Sequence, residues 1–158
     1  MIFRRADEND LFELLRIEDE CFGRERFSTE IVRAFILRAD AFTVVAQDEG
    51  AGRLAGSASC LVSENTGEGR IASVAVLPGR RGQGIGSGLL AMCEKTLGNY
   101  PLRKYVLEVE TTNMPATIMY AHNGYDVVGT LNDYYGPGRD AYIMEKRLSR
   151  EARKLTVR

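Results

Sequence analysis

Ile71-Ala72-Ser73-Val74-Ala75-Val76-Leu77-Pro78-Gly79-Arg80-Arg81-Gly82-Gln83-Gly84-Ile85-Gly86-Ser87-Gly88-Leu89-Leu90 reads as an apolar strand, a basic glycine-studded turn and the start of a helix. Glycines remove side chains where backbone N–H groups converge, and a helix N-terminus adds unpaired donors and partial positive charge. This combination makes a phosphate cradle. It is not a Walker loop: Gly79 and Gly84 have the right separation, but Ile85 stands where the lysine belongs. It does not match a dinucleotide fingerprint either, because Ser87 replaces the third glycine after Gly82 and Gly84 and no early strand-helix unit precedes it in the usual Rossmann position.

Working outward, Ile2 to Ala6 reads as a strand, with Asp7 as the N-cap of a helix carrying Leu11, Leu14, Ile17 and Cys21 at helical spacing. Gly23-Arg24-Glu25-Arg26 interrupts it, and Ser28-Thr29-Glu30 opens a second helix expected to turn Ile31, Ala34 and Phe35 inward. Phe42 to Gln47 and Leu54 to Ser63 form an antiparallel hairpin about the turn at Asp48 to Gly52. The near-continuous apolar run Ile71 to Leu77 predicts a central strand covered on both faces. The helix from Gly84 places Ile85, Leu89, Cys93 and Leu97 on one stripe and ends at Gly98-Asn99-Tyr100-Pro101. Lys104 to Glu110 follows as a strand with Tyr105, Leu107 and Val109 on one face and Val106, Glu108 and Glu110 on the other. A short helix from Asn113 to about Asn123, a strand from Tyr125 to Leu131, a tyrosine-rich loop and a last strand from Asp140 to Leu148 complete the order.

Arg81, Gly84 and Gly86 fit the pattern [QR]-x-x-G-x-[GA] behind Val74-Ala75-Val76. This resembles the acyl-CoA pyrophosphate loop of the GNAT superfamily of N-acetyltransferases. A second segment, Leu107-Glu108-Val109-Glu110 with Asn113 and then Ile118-Met119-Tyr120 to Gly124-Tyr125, resembles the RimI-like or archaeal-type protein N-terminal acetyltransferases. So does the ending Asn132-Asp133-Tyr134-Tyr135-Gly136 with Asp140-Ala141-Tyr142-Ile143-Met144. The resemblance implies an α/β (α+β) fold whose central mixed, mostly antiparallel sheet has about seven strands flanked by about four helices. It covers a single domain over 1–148 and leaves 149–158 as a basic tail.

It also implies the site. Backbone at Val74, Ala75 and Val76 would bind the pantetheine amides of acetyl-CoA, with the Val76 N–H polarising the acetyl carbonyl. Arg81, Gly82, Gln83, Gly84, Ile85, Gly86 and Ser87 would hold the pyrophosphate. Asn113 and Tyr120 fall within about twenty degrees on one helix face, roughly 10 Å apart along its axis. By the resemblance, Asn113 contacts the pantetheine arm and Tyr120 is the general acid beside the sulfur, while Asn113 also suits an N-cap with Pro115 behind it. Glu108 is the expected general base. Glu110 shares its strand face roughly 7 Å away, so the two charges are expected to raise each other's pKa. His122, about 200 degrees around the helix from Tyr120, should point away from the site.

Acceptor contacts are expected from Phe22, Glu25 and Phe27 between the first two helices, from Glu110, and from Tyr134 and Tyr135 before the last strand. Phe22-Gly23-Arg24-Glu25-Arg26-Phe27 departs from the patterns of relatives, which leaves the accepted first residue open. The function expected is acetyl transfer from acetyl-CoA to the N-terminal α-amine of a protein or peptide, with an auxiliary subunit or the ribosome as a further partner. Acetylation of lysine or small amines such as polyamines and antibiotics stays open, as does a non-catalytic acyl-CoA-binding module.

Composition sets the remaining bounds. At 158 residues with formal net charge −1, the chain suits one domain and has no general pull toward nucleic acid or anionic membrane. No apolar run approaches a membrane span and no secretory leader opens it, so cytoplasmic residence is expected. Cys21, Cys60 and Cys93 have neither metal-ligand nor redox-motif spacing and read as small buried hydrophobes. One histidine gives no basis for a metal site, and none is expected.

Overall fold

The computed structural model describes residues 1–149, so the expected tail at 149–158 lies outside them except for Ser149. The elements run β1 Ile2–Arg5, α1 Leu11–Phe22, α2 Thr29–Leu37, β2 Ala41–Gln47, β3 Leu54–Ser63, β4 Glu68–Val76, α3 Ile85–Leu97, β5 Lys104–Glu110, α4 Met114–His122, β6 Asp126–Leu131 and β7 Ala141–Arg147. The strands form one seven-stranded sheet in the order β1-β2-β3-β4-β5-β7-β6. The chain divides into two compact units, Met1–Val62 with Ile71–Leu97 and Ser63–Arg70 with the residues from Gly98 onward.

In the first unit, β1 pairs antiparallel with β2 from Ile2↔Gln47 to Arg5↔Val44, and β2 pairs antiparallel with β3. Asp7 is a cap, but of a 3₁₀ turn, Glu8–Asp10, that leads into α1. Its carboxylate takes the Asn9 N–H at 2.8 Å, and Asp10 reaches back to the Asp7 N–H at 2.9 Å. That reciprocal arrangement satisfies donors that a helix start leaves open. Arg4 then clamps Asp10 with two bonds of 2.8 and 2.9 Å. Ser28 caps α2 through the Ile31 N–H at 3.2 Å.

Leu14, Ile17, Val32, Val45, Leu54 and Ala75 form one buried cluster in this unit. On α2 the inward residues are Val32 and Phe35, while Ile31 is 44% exposed, contrary to the sequence expectation. The α3 stripe of Ile85, Leu89, Cys93 and Leu97 is buried as the spacing predicts. Cys60 and Cys93 are buried, but Cys21 is only partly so, and all three are free thiols.

In the second unit, the first residues of β4 pair parallel with β5 over Glu68↔Lys104, Gly69↔Tyr105 and Arg70↔Val106. Strand β5 pairs antiparallel with β7 along Lys104↔Arg147 to Glu110↔Ala141, and β7 pairs with β6 across an irregularity between Val127 and Gly129. Tyr105, Leu107 and Val109 are buried with Leu102, Tyr125 and Met144. Strand β4 is fourth of the seven, but it is not covered on both faces as its composition suggested. Ile71 and Ala75 are buried, whereas Ala72, Ser73, Val74 and Val76 are only half-buried.

Candidate active site

The first unit holds the residues expected to form the phosphate loop. Strand β4 ends at Val76, a 3₁₀ turn covers Pro78–Arg80, and α3 begins at Ile85. Gly82 and Gly84 have φ of 76° and 80°, a region in which a side chain is strained, and a Cβ added to either meets nothing within 4 Å. Residues 81–84 are exposed while Ile85 is buried, so the helix is anchored and its amide-rich approach is open to solvent. Arg80 is engaged by Asp48 at 2.7 and 2.8 Å and reaches Gln83 at 3.4 Å. Arg81 turns back so that its Nε donates to the Val76 carbonyl at 3.0 Å, an oxygen also contacted by Cys21 Sγ at 3.5 Å. Ser87 and Gly86 lie in the first turn of α3. Arg80 is thus tied to Asp48 and Arg81 Nε to the Val76 carbonyl, while residues 81–84 themselves are exposed.

The loop between α1 and α2 belongs to the same unit. Phe22, the last residue of α1, is 37% exposed, and Glu25 is exposed. Phe27 stacks on Phe35 with centroids 5.7 Å apart. A residue not singled out from the sequence holds this loop: Glu18, buried on α1, accepts the Phe27 N–H at 2.9 Å. Burial pushes the Glu18 carboxyl above its ordinary range.

The second unit gathers Glu108, Glu110, Asn113, Tyr120, Tyr134 and Tyr135. Asn113 caps α4, accepting the Ala116 N–H at 3.3 Å, with Pro115 in the first turn. Tyr120 is buried on α4, its ring edge-on to Tyr125 at 6.0 Å. His122 is exposed. Glu108 is paired with Arg70, and Glu110 with Arg139 at 2.8 Å. Each glutamate of the shared strand face thus has its own guanidinium partner, a charge balance the expectation of mutual repulsion had left out. Arg70 and Arg139 were not singled out in the sequence, and at separations of 38 and 29 residues no local pattern pointed to them.

Tyr134 and Tyr135 meet edge to face at 4.9 Å in the loop between β6 and β7. Tyr135 keeps 38% of its surface exposed, yet partial desolvation of its phenol, followed by the charges of Tyr134, Glu108 and Glu110, pushes it up to about 12, with Arg139 pulling the other way. Its phenol is a protonated hydrogen-bond donor throughout the neutral range, and it lies within electrostatic reach of both glutamates.

The model of the Acetyltransferase (GNAT) family matches residues 9–125. The chain belongs to the GNAT family. It is 35% identical to an uncharacterized N-acetyltransferase of Methanocaldococcus jannaschii over 148 residues, 93% of this chain and 92% of that one. An N-alpha-acetyltransferase of Saccharolobus solfataricus is 37% identical over 82 residues, 51% of this chain and 49% of the relative. Among solved structures, the ribosomal-protein-S18-alanine N-acetyltransferase of Escherichia coli superposes with a TM-score of 0.81, covering 94% of each chain at 22% identity.

As a GNAT enzyme it is an N-acetyltransferase that uses acetyl-CoA. The first unit fits that cosubstrate on its own geometry: the open backbone curve at Gly82 and Gly84 meets the N-terminus of a 13-residue helix. Among the described residues no group of three His, Cys, Asp or Glu side chains is placed to hold a metal ion, and no helix is long and apolar enough to cross a membrane.

Proposed function

We propose that this GNAT enzyme acetylates the N-terminal α-amine of a protein or peptide, with Glu108 as general base and Tyr120 as general acid. The observation that carries this reading is that one unit holds Glu108 and Glu110 on one strand, Tyr120 on α4 and the Tyr134–Tyr135 pair, with Arg139 bonded both to Glu110 and to the Tyr135 carbonyl. A protonated phenol and an exposed neighbouring tyrosine suit a peptide main chain, which offers carbonyls to donors and flat surface to rings. The N-alpha-acetyltransferase relative supports the same acceptor class.

Bound acetyl-CoA supplies an activated acetyl carbonyl with a thiolate leaving group. Backbone at Val74, Ala75 and Val76 and the amides from Arg81 to Ser87 would hold it, and Asn113 would add a polar contact. Glu108 takes the proton lost by the attacking amine, directly or through water, and Tyr120 holds a proton for the departing sulfur. An α-amine with pKa near 8 is neutral at pH 7 about a hundredfold or more as often as a lysine near 10.4. One carboxylate base suffices more readily for the former. Phe22, Glu25 and Phe27 contact the acceptor's first residues, and an auxiliary subunit or the ribosome presents the nascent terminus.

Mass spectrometry of peptides with free or blocked N-termini, incubated with acetyl-CoA, tests the proposal. Acetyl on the α-amine is the expected product. Acetyl confined to lysine or to small amines, or CoA binding without turnover, would overturn it.

A further inference from the structure

Arg139 stands in the loop that joins β6 to β7, within the second unit. Its guanidinium grips Glu110 of β5 in two places, Nη2 to Oε1 at 2.8 Å and Nε to Oε2 at 3.2 Å. Nη1 donates to the Tyr135 carbonyl at 3.3 Å, and the guanidinium carbon stands 5.9 Å from the centre of the Tyr135 ring. On the main chain, the Tyr135 N–H donates to the Arg139 carbonyl at 3.0 Å.

The rest of the loop is stitched by Asp133, which adopts φ 54° although it is not glycine. Its Oδ1 takes the Gly138 N–H at 2.7 Å, its carbonyl takes the Gly136 N–H at 3.2 Å, and its own N–H donates to Asp140 at 2.9 Å. Those bonds give the loop its shape but tie it only to itself and to the start of β7. The fork to Glu110 is a side-chain tie from the loop to β5, the strand that carries Glu108, and a paired charge-assisted contact fixes direction as well as distance.

We propose that Arg139 is the positioning residue that holds Tyr135 against the strand bearing Glu108, so that the acceptor opening is formed before the peptide arrives. Arg139 does not touch the reacting atoms. It also cancels the charge of Glu110, so the surface beside Tyr135 reads main chain by hydroxyl and ring rather than selecting a charged first side chain. The inference rests on the reading of this unit as the acceptor-binding part of an N-terminal acetyltransferase. It adds a residue that the tyrosine motif alone did not reveal.

The test compares wild type with R139A, R139K and the charge swap E110R/R139E. In R139A the KM for peptide should rise roughly tenfold, equally for peptides with different first residues, while kcat stays within about twofold. The KM for acetyl-CoA should not move. R139K should recover only part of the loss, because an ammonium cannot reproduce the two parallel bonds. The swap should recover part of the loss, since it restores the tie from the loop to β5, although a carboxylate at position 139 cannot donate to the Tyr135 carbonyl. An unchanged peptide KM in R139A, a rise confined to certain first residues, or a swap no better than the single changes would overturn the proposal.

A measurement without substrate separates this inference from the proposed function. With 3-fluorotyrosine at position 135, the fluorine resonance should shift and broaden in R139A and sharpen in part in the swap. If wild type fails to acetylate N-terminal amines, the proposed function falls, and this resonance alone decides whether Arg139 holds Tyr135. A resonance that R139A leaves in place overturns the inference as well.

Discussion

The Arg80 guanidinium is clasped by the Asp48 carboxylate, Nη1 to Oδ2 at 2.7 Å and Nη2 to Oδ1 at 2.8 Å. A basic residue that the sequence placed beside a phosphate cradle thus works as a brace between the β2–β3 turn and the loop. With Arg81 Nε donating to the Val76 carbonyl, we propose that the amides that follow recognise the pyrophosphate.

Loop glycines should therefore matter more than the flanking charge. Gly84→Ala forces a side chain into a left-handed backbone at a cost of about 1–2 kcal/mol, and should raise the KM for acetyl-CoA at least roughly tenfold. Arg80→Ala should change it less than about threefold. Initial rates and calorimetry with CoA would check both, and the reverse ranking would return the anion contact to the arginine.

The two proposed proton-transfer roles have different signatures. Tyr120→Phe should lower kcat roughly a hundredfold with CoA affinity within about twofold. Glu108→Gln should depress the rate most at low pH, where the amine is largely protonated and a base is most needed. Unchanged turnover in the first variant, or an unaltered pH–rate profile in the second, would remove that residue from the mechanism.

Glu18 predicts an inverse dependence of stability on pH. Burial raises its carboxyl in the folded protein, so its cost is absent below the ordinary carboxylate range and grows as pH rises through the folded value. Glu18→Gln keeps an acceptor for the Phe27 N–H and removes that cost. Tm should rise by roughly 2–4 °C at pH 7, for about 1 kcal/mol, and match wild type near pH 3. Thermal melts at the two values would show it.

Asp10 carries the opposite sign. The hydrogen-bonded Arg4 guanidinium holds its carboxyl below the usual value, so its stabilisation is present above the ordinary range and fades as pH falls through the folded value. Asp10→Asn should lose roughly 2 kcal/mol at pH 7, about 5 °C in Tm. The difference should close in acid, and a gap that persists at pH 2 would assign the effect to packing.

Local patterning made most of the architecture legible. The α3 stripe, the β2–β3 hairpin and the burial of Tyr105, Leu107 and Val109 follow from period and turn chemistry. On α2 the pattern was ambiguous, because Ile31, Val32, Ala34, Phe35, Ile36 and Leu37 make the helix apolar around most of its girth. Packing with Val45 and Leu54 turned Val32 inward and left Ile31 in solvent. Motif residues such as Gly84, Glu108 and Tyr120 were visible, since their spacing is itself the signal. Glu18, Arg70 and Arg139 were not, because their partners are supplied by tertiary folding and a charged residue without its partner looks like any solvated surface group.

The short parallel pairing at the start of β4 sets an order of events during synthesis. Ser63–Arg70 leaves the ribosome ahead of α3, yet the Gly67 carbonyl takes its N–H donors from Arg103 and Lys104, at 2.7 and 3.3 Å. This octet must wait, unpaired on that side, while the next three dozen or so residues are translated. The second unit therefore cannot mature on the nascent chain by simple N-to-C growth, and a fragment ending at Leu97 would carry one strand edge whose native complement has not yet been made.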